Sequence, residues 1–178
     1  MKQPSILLKL IVSAGGSGFS PIVSGTVGSA VTCAAIMAFA YFVPLNLITI
    51  GAYLALGFFF SILGIFAADK YCRQTQKEDP SEIVIDEVAG QWLAAAAPLF
   101  LNWFYGANAA ISAVQLLVIF LLFRFFDILK PWPISWCDEK IPGGFGVMID
   151  DILAGIAAAV SYALLYSLLP IYRFYFLL

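Results

Sequence analysis

The chain is 178 residues long, 62% hydrophobic and only 11% charged, with a mean hydropathy of +0.96 and a net charge of −2. An ordinary soluble domain is about 45–50% apolar and about 25% charged, so a water-soluble globule is excluded, and so is disorder, which needs low hydrophobicity. The charge balance leaves no basic surface for nucleic acid, and the absence of histidine removes Ser-His-Asp triads and His metal ligands.

The elements follow from the uncharged runs, since a membrane-spanning helix needs about 20 apolar residues. Residues 10–68, 88–123 and 152–172 carry no charge. Ahead of the first run, the segment from Ile6 to Val12 is apolar around Lys9, and Gly15-Gly16-Ser17-Gly18 then breaks it. No clean cleavage site follows, so it reads as a short interfacial or half-inserted helix rather than a signal peptide. The first run predicts helices over 27–43 and 45–68, with Pro44 and Asn46 at the turn. The second predicts a hairpin with arms over 82–101 and 109–129, broken at 102–108. The third predicts one helix over 152–169, stopped by Pro170. The expectation is an all-α polytopic membrane bundle of five spans plus the N-terminal helix, forming one domain over 1–178. A β-barrel is disfavoured because the runs are long and do not alternate.

With five alternating spans, eight of the nine basic residues fall on one face, leaving Arg173 opposite. The positive-inside rule makes that face cytoplasmic. All eleven acidic residues fall on it too, which places any chemistry at the cytoplasmic surface. Cys33, Cys72 and Cys137 are scattered without CxxC spacing, indicating neither a zinc site nor a disulfide framework. Trp103, Phe104, Tyr105, Trp132 and Trp136 read as interfacial anchors.

Charge meets a helix entering the membrane at three places: Asp86-Glu87, Asp127 with Arg124 and Lys130, and Asp150-Asp151. Ionisable groups at membrane depth are costly and usually functional. Five carboxylates at three helix ends need neutralising, and hard oxygen ligands of this kind suit Mg²⁺. Arg124 and Asp127 share a helix face, and a carboxylate-held Mg²⁺ beside Lys or Arg is suited to phosphate chemistry. Ser24-Gly25-Thr26-Val27-Gly28-Ser29 opens the first span with hydroxyls and glycines, which suits capping, close packing or an anion at a helix N-terminus. Gly143-Gly144-Phe145-Gly146 permits tight loop turns or close backbone approach. Other phosphatase chemistries are excluded: no Cys is followed by Arg at the sixth position, no Asp-x-Asp occurs, and a histidine nucleophile is impossible. Metal-activated water remains.

At these residues the sequence resembles the phosphatidylglycerophosphatase A family of small bacterial membrane phosphatases. Four stretches carry the resemblance in order between Gly16 and Gly155: Gly18-Phe19-Ser20-Pro21 through Ser29; Asp79-Pro80 with Ile83-Val84-Ile85-Asp86-Glu87 and Gly90; Phe123-Arg124 and Phe126-Asp127 through Lys130-Pro131-Trp132-Pro133-Ile134; and Gly143-Gly144-Phe145-Gly146 through Asp150-Asp151 with Ala154-Gly155. Ser24 departs from a position where the family often has Pro, and Ser135 from one that is often basic; neither touches a carboxylate.

The resemblance implies Mg²⁺-dependent removal of the terminal phosphate of phosphatidylglycerol phosphate, giving phosphatidylglycerol, in the bacterial cytoplasmic (inner) membrane. The expected metal ligands are Asp86, Glu87, Asp150 and Asp151, with Asp127 as ligand or general base. Glu87, Asp127 and Lys130 form the catalytic set, and Arg124, Lys130, Thr26 and Ser29 the phosphate-binding set. The partners are the lipid substrate and the bilayer; no protein partner can be named from the sequence. The rival from another class is a carboxylate-lined cation carrier or a non-enzymatic membrane subunit. A transport path should place its charges near mid-bilayer, whereas these lie at one end, which favours surface chemistry. Phosphoalcohol transfer calls for an Asp-Gly-x-x-Ala-Arg motif, which is missing.

Overall fold

The computed structural model describes residues 3–106 and 111–168. In lipid every backbone N–H and C=O must pair within its own segment, which leaves helices as the open-chain solution. All regular structure among the described residues is helical. The order is α1 (Ile6–Val12), a 3₁₀ stretch (Ala14–Phe19), α2 (Ser24–Phe42), α3 (Leu47–Thr75), α4 (Ile85–Ala94), α5 (Ala96–Phe104), α6 (Ala113–Leu129), α7 (Ile134–Lys140) and α8 (Gly143–Leu168).

Three of these helices, α2, α3 and α8, are long and apolar enough to cross a membrane. Their outward faces carry Ile48, Phe58, Phe66 and Leu164 in exposed positions, as a lipid-facing surface requires. α3 starts at a capping box in which Asn46 and Thr49 exchange side-chain and backbone hydrogen bonds. It runs on past its last apolar residues to carry Asp69, Lys70 and Arg73 beyond the uncharged run.

The arm expected over 82–101 is divided. α4 ends at Ala94 and α5 begins at Ala96. Pro98 has no N–H to donate and its ring crowds the carbonyl of Ala94, so the ladder cannot continue unbroken. The second arm, α6, is 17 residues long and begins at a Ser112–Gln115 capping box. Gln115 also exchanges two hydrogen bonds with Asn102 of α5, at 3.1 and 2.8 Å, closing this hairpin at the end away from the charges. The expected turn residues Ala107 and Asn108, the first two residues of the 109–129 arm, Leu169, the stop at Pro170, and Arg173 lie outside the described residues.

α8 begins at Gly143, not at 152. Intrinsic propensity counts the glycines at 143–146 as helix breakers. Here Gly144 instead lies against the backbone of Ile65 and Asp69 on α3, a close crossing of the sort small residues permit between membrane helices. The earlier start puts Asp150 and Asp151 two turns inside a helix rather than at its edge.

α8 is the central element and packs on α3, α4 and α6. The larger core joins Tyr53, Trp92, Phe123, Ala154 and Tyr162. Tyr53 and Trp92 stack with centroids 4.7 Å apart, and each donates a hydrogen bond to the other's backbone carbonyl, fixing α3 against α4. A second core joins Leu8 and Val12 of α1 to Ala68, Ile85 and Met148. α1 thus lies against the bundle, and Val84 N–H bonds the Val12 carbonyl at 2.8 Å.

Candidate active site

Four elements deliver charge to one end of the bundle: the end of α3, the start of α4, the end of α6 and the start of α8. Between them lies a cavity of about 760 Å³ lined by Asp86, Glu87, Asp127, Lys130, Asp150 and Asp151, together with Asp69, Asp79 and Asp138. Six of the expected site residues therefore share one chamber.

Within it the carboxylates sort into two groups. Asp86, Glu87 and Asp151 each offer an oxygen within 4.8 Å of the others. Asp86 and Glu87 stand on the first turn of α4, and Asp151 faces them from α8. Glu87 Oε2 is buried without a hydrogen-bond partner, and an unpaired buried carboxylate oxygen is expensive unless a cation meets it. An all-oxygen, anionic donor set of this kind fits a hard divalent ion. Asp150 lines the same cavity but is engaged differently: its Oδ2 accepts from Lys130 Nζ at 2.6 Å, while its Oδ1 is buried without a hydrogen-bond partner.

Lys130 also bonds Asp138 Oδ1 at 2.8 Å. Its backbone is left-handed, φ 41 and ψ 57, and caps α6, an uncommon conformation for a non-glycine residue that recurs where position matters. Burial works against the Lys130 ammonium, but hydrogen bonds to Asp138 and Asp150 outweigh it and hold its pKa above the usual lysine value. It is therefore a fixed positive charge.

Arg124 holds the second positive charge. Its Nη1 pairs with Asp127 one turn along α6 and lies 3.9 Å from Glu87 Oε1. The same nitrogen reaches Ser29 Oγ at 3.5 Å, while the Ser29 hydroxyl donates to the Gly25 carbonyl at 2.9 Å. Ser29 is thus fully buried and braces Arg124. Thr26 lies on the same first turns of α2, half-buried. The Ser24 hydroxyl donates to the Ser81 carbonyl at 2.7 Å, tying α2 to the segment that leads into α4.

Two residues were not visible from the sequence. Asp138 reads there as a solvated charge in a polar stretch, yet it is a direct partner of Lys130, and α7 brings it into the lining of the cavity. Gln91, which the sequence reading did not single out, is fully buried with neither amide atom hydrogen-bonded, one turn along α4 from Glu87. Spacing from Glu87 was the available signal.

A membrane-type helical bundle with a carboxylate-lined, lysine- and arginine-bearing chamber at one end defines the class: an integral-membrane enzyme for a phosphorylated substrate. The chain belongs to the phosphatidylglycerophosphatase A family, whose model it matches over residues 10–166. It is 37% identical over 151 residues to the Escherichia coli phosphatidylglycerophosphatase A, covering 81% of this chain and 74% of that one. It is 41% identical over 109 residues to the Haemophilus influenzae phosphatidylglycerophosphatase A, 61% of each chain. It is also 37% identical over 164 residues to a Bacteroides thetaiotaomicron protein named putative phosphatidylinositol-3-phosphatase, covering 92% of this chain and 96% of that one. No solved structure matches it. The chain is thus a phosphatase enzyme, acting on a lipid substrate.

Proposed function

We propose that this protein hydrolyses the terminal phosphomonoester of phosphatidylglycerol phosphate, giving phosphatidylglycerol and inorganic phosphate, at the cytoplasmic face of the bacterial inner membrane. The bundle crosses five times: α2, α3, the α4–α5 stack, α6 and α8, with α1 at the interface, all in a single domain. The observation that carries this reading is the convergence of Asp86, Glu87 and Asp151 in the chamber that also presents Lys130.

Asp86, Glu87 and Asp151 would hold Mg²⁺, with Asp150 next to them on Lys130. When bound, the ion supplies a Lewis-acid contact for phosphate oxygens. Lys130 and Arg124 neutralise the remaining phosphate charge, and Thr26 and Ser29 support that end of the site from α2. Water attacks phosphorus and the bond from phosphorus to the glycerol oxygen breaks. Asp127, oriented by Arg124, accepts the proton lost by the water, and the departing glycerol oxygen takes up a proton from solvent. Charge fixed in advance around the phosphate stabilises such a transition state.

The name of the Bacteroides relative, similar over nearly its whole length, supports a second reading with a ring phosphate on an inositol lipid. The test is phosphate release by purified protein from phosphatidylglycerol phosphate and from phosphatidylinositol 3-phosphate, each with Mg²⁺ and with excess EDTA. The expected result is preferential turnover of phosphatidylglycerol phosphate, abolished by EDTA and restored by Mg²⁺. Preference for the inositol lipid would transfer the assignment to that substrate, and full turnover in EDTA would remove the metal.

A further inference from the structure

A groove of about 270 Å³ runs between α2 and α6, lined by Ala30, Cys33, Met37, Leu116, Leu117 and Phe120 with Ala113 at one end. No charged side chain lines it. Along α2 the residues Thr26, Ala30, Cys33 and Met37 recur at helical spacing, and along α6 so do Ala113, Leu117, Phe120 and Arg124. The two stripes converge at the contact between Arg124 and Ser29. Arg124 in turn touches Glu87 and Asp127, which line the acidic cavity. Groove and cavity are thus separated by one layer of side chains.

The width and position of the groove identify its occupant. From Ala30 to Met37, and likewise from Ala113 to Phe120, the helical rise of about 1.5 Å per residue gives about 10 Å. The end at Ala30 and Phe120 adjoins the contact between Ser29 and Arg124. A helix from a second copy, about 10–12 Å across with its side chains, is too wide for a groove of about 270 Å³ and this length; part of a lipid chain fits it, and the lipid ends in a charged group. Alanines at Ala30 and Ala113 keep the walls apart where bulkier residues would close them. We infer that the α2–α6 groove seats one acyl chain of the lipid whose phosphate enters the acidic cavity, with Arg124 marking the boundary between chain and headgroup. This inference rests on the lipid-phosphate reading above and assigns that lipid's path through the protein.

The test is photo-crosslinking of the full-length protein in phosphatidylcholine vesicles that contain a trace of phosphatidic acid with a diazirine midway along one chain. Labelling is expected on peptides spanning 30–37 and 113–120. Excess unlabelled phosphatidic acid should suppress it at least fivefold, while added phosphatidylcholine should not. Ala30→Trp, at an exposed position that tolerates bulk, should reduce labelling to a similar degree, and Val31→Trp, exposed but off the groove, should leave it intact. In turnover, Ala30→Trp should raise KM at least tenfold for a dioleoyl substrate and leave a dibutyryl substrate unchanged. Labelling spread evenly over the lipid-facing helices, or insensitive to the phosphate lipid, would overturn the assignment. So would disulfide-linked dimers formed through Cys33, which would give the groove to a second copy. Turnover of neither lipid phosphate would overturn the reaction assigned above, while the crosslinking pattern would still decide the groove.

Discussion

Asp150 and Asp151 are neighbours in the chain with different tasks. Asp151 faces Asp86 and Glu87, whereas Asp150 anchors Lys130. Asp151→Asn should therefore lower activity by at least ~100-fold, or ~2.7 kcal/mol of transition-state stabilisation, with partial recovery at raised Mg²⁺. Its metal-free thermal stability should hold or rise, because one of several mutually repelling charges is removed. Full activity of Asp151→Asn across a Mg²⁺ titration would remove it from the metal set. Asp138→Asn removes one of two partners of Lys130 and leaves Asp150 in place. The expected loss is about tenfold, ~1.4 kcal/mol, with no change in the Mg²⁺ requirement. A shifted Mg²⁺ midpoint for Asp138→Asn would show that Asp138 also acts on the metal. The carboxylates at 86, 87 and 151 were legible because charge beside long apolar runs is conspicuous. The role of Asp138 was not, since a charge within a polar stretch looks solvated until the fold shows what it faces.

At the scale of elements, the site depends on how closely α4 and α8 approach. A side chain at Gly155 would collide with the backbone carbonyl of Gly90, and one at Gly90 with the carbonyl of Asp151. Gly90 stands one turn beyond Asp86 and Glu87, and Gly155 one turn beyond Asp151, so this crossing sets the spacing of the carboxylates. Gly155→Ala should force the helices apart, costing about 1–3 kcal/mol of stability and most of the activity, read by thermal unfolding in detergent and phosphate release. Gly51→Ala on α3 meets nothing within 4 Å, and should hold or raise stability by up to about 1 kcal/mol. If both substitutions behaved alike, close approach of α4 and α8 would not govern the site. Helix positions were readable from the uncharged runs. The break at Ala95 and the early start of α8 were not, because Pro98 was hidden in an apolar run and the glycines at 143–146 act through packing against α3 rather than through their own propensity.

For the whole molecule, the proposed orientation rests on where the charges lie. α3 is 29 residues long, about 43 Å at the helical rise, while a hydrocarbon core is about 30 Å thick. Held upright across such a core it would extend beyond it, and its last turns carry Asp69, Lys70 and Arg73. Lys130 and Lys140 bracket α7 at that same end, where exposed Trp132 and Trp136 suit the interface. The opposite end of α3 begins at Leu47, exposed and uncharged. By the positive-inside rule, the orientation proposed above has the cavity toward the cytoplasm. Single cysteines at Glu139 on α7 and at Leu47, each made after the native cysteines are replaced, report the two ends. In intact spheroplasts an impermeant maleimide should label Leu47→Cys and spare Glu139→Cys until the membrane is opened. The reverse pattern would turn the protein over and bring the phosphate chemistry to the outer face. Labelling of both from outside would mean that the apolar helices do not separate the two ends, and with that the five-span arrangement would fall.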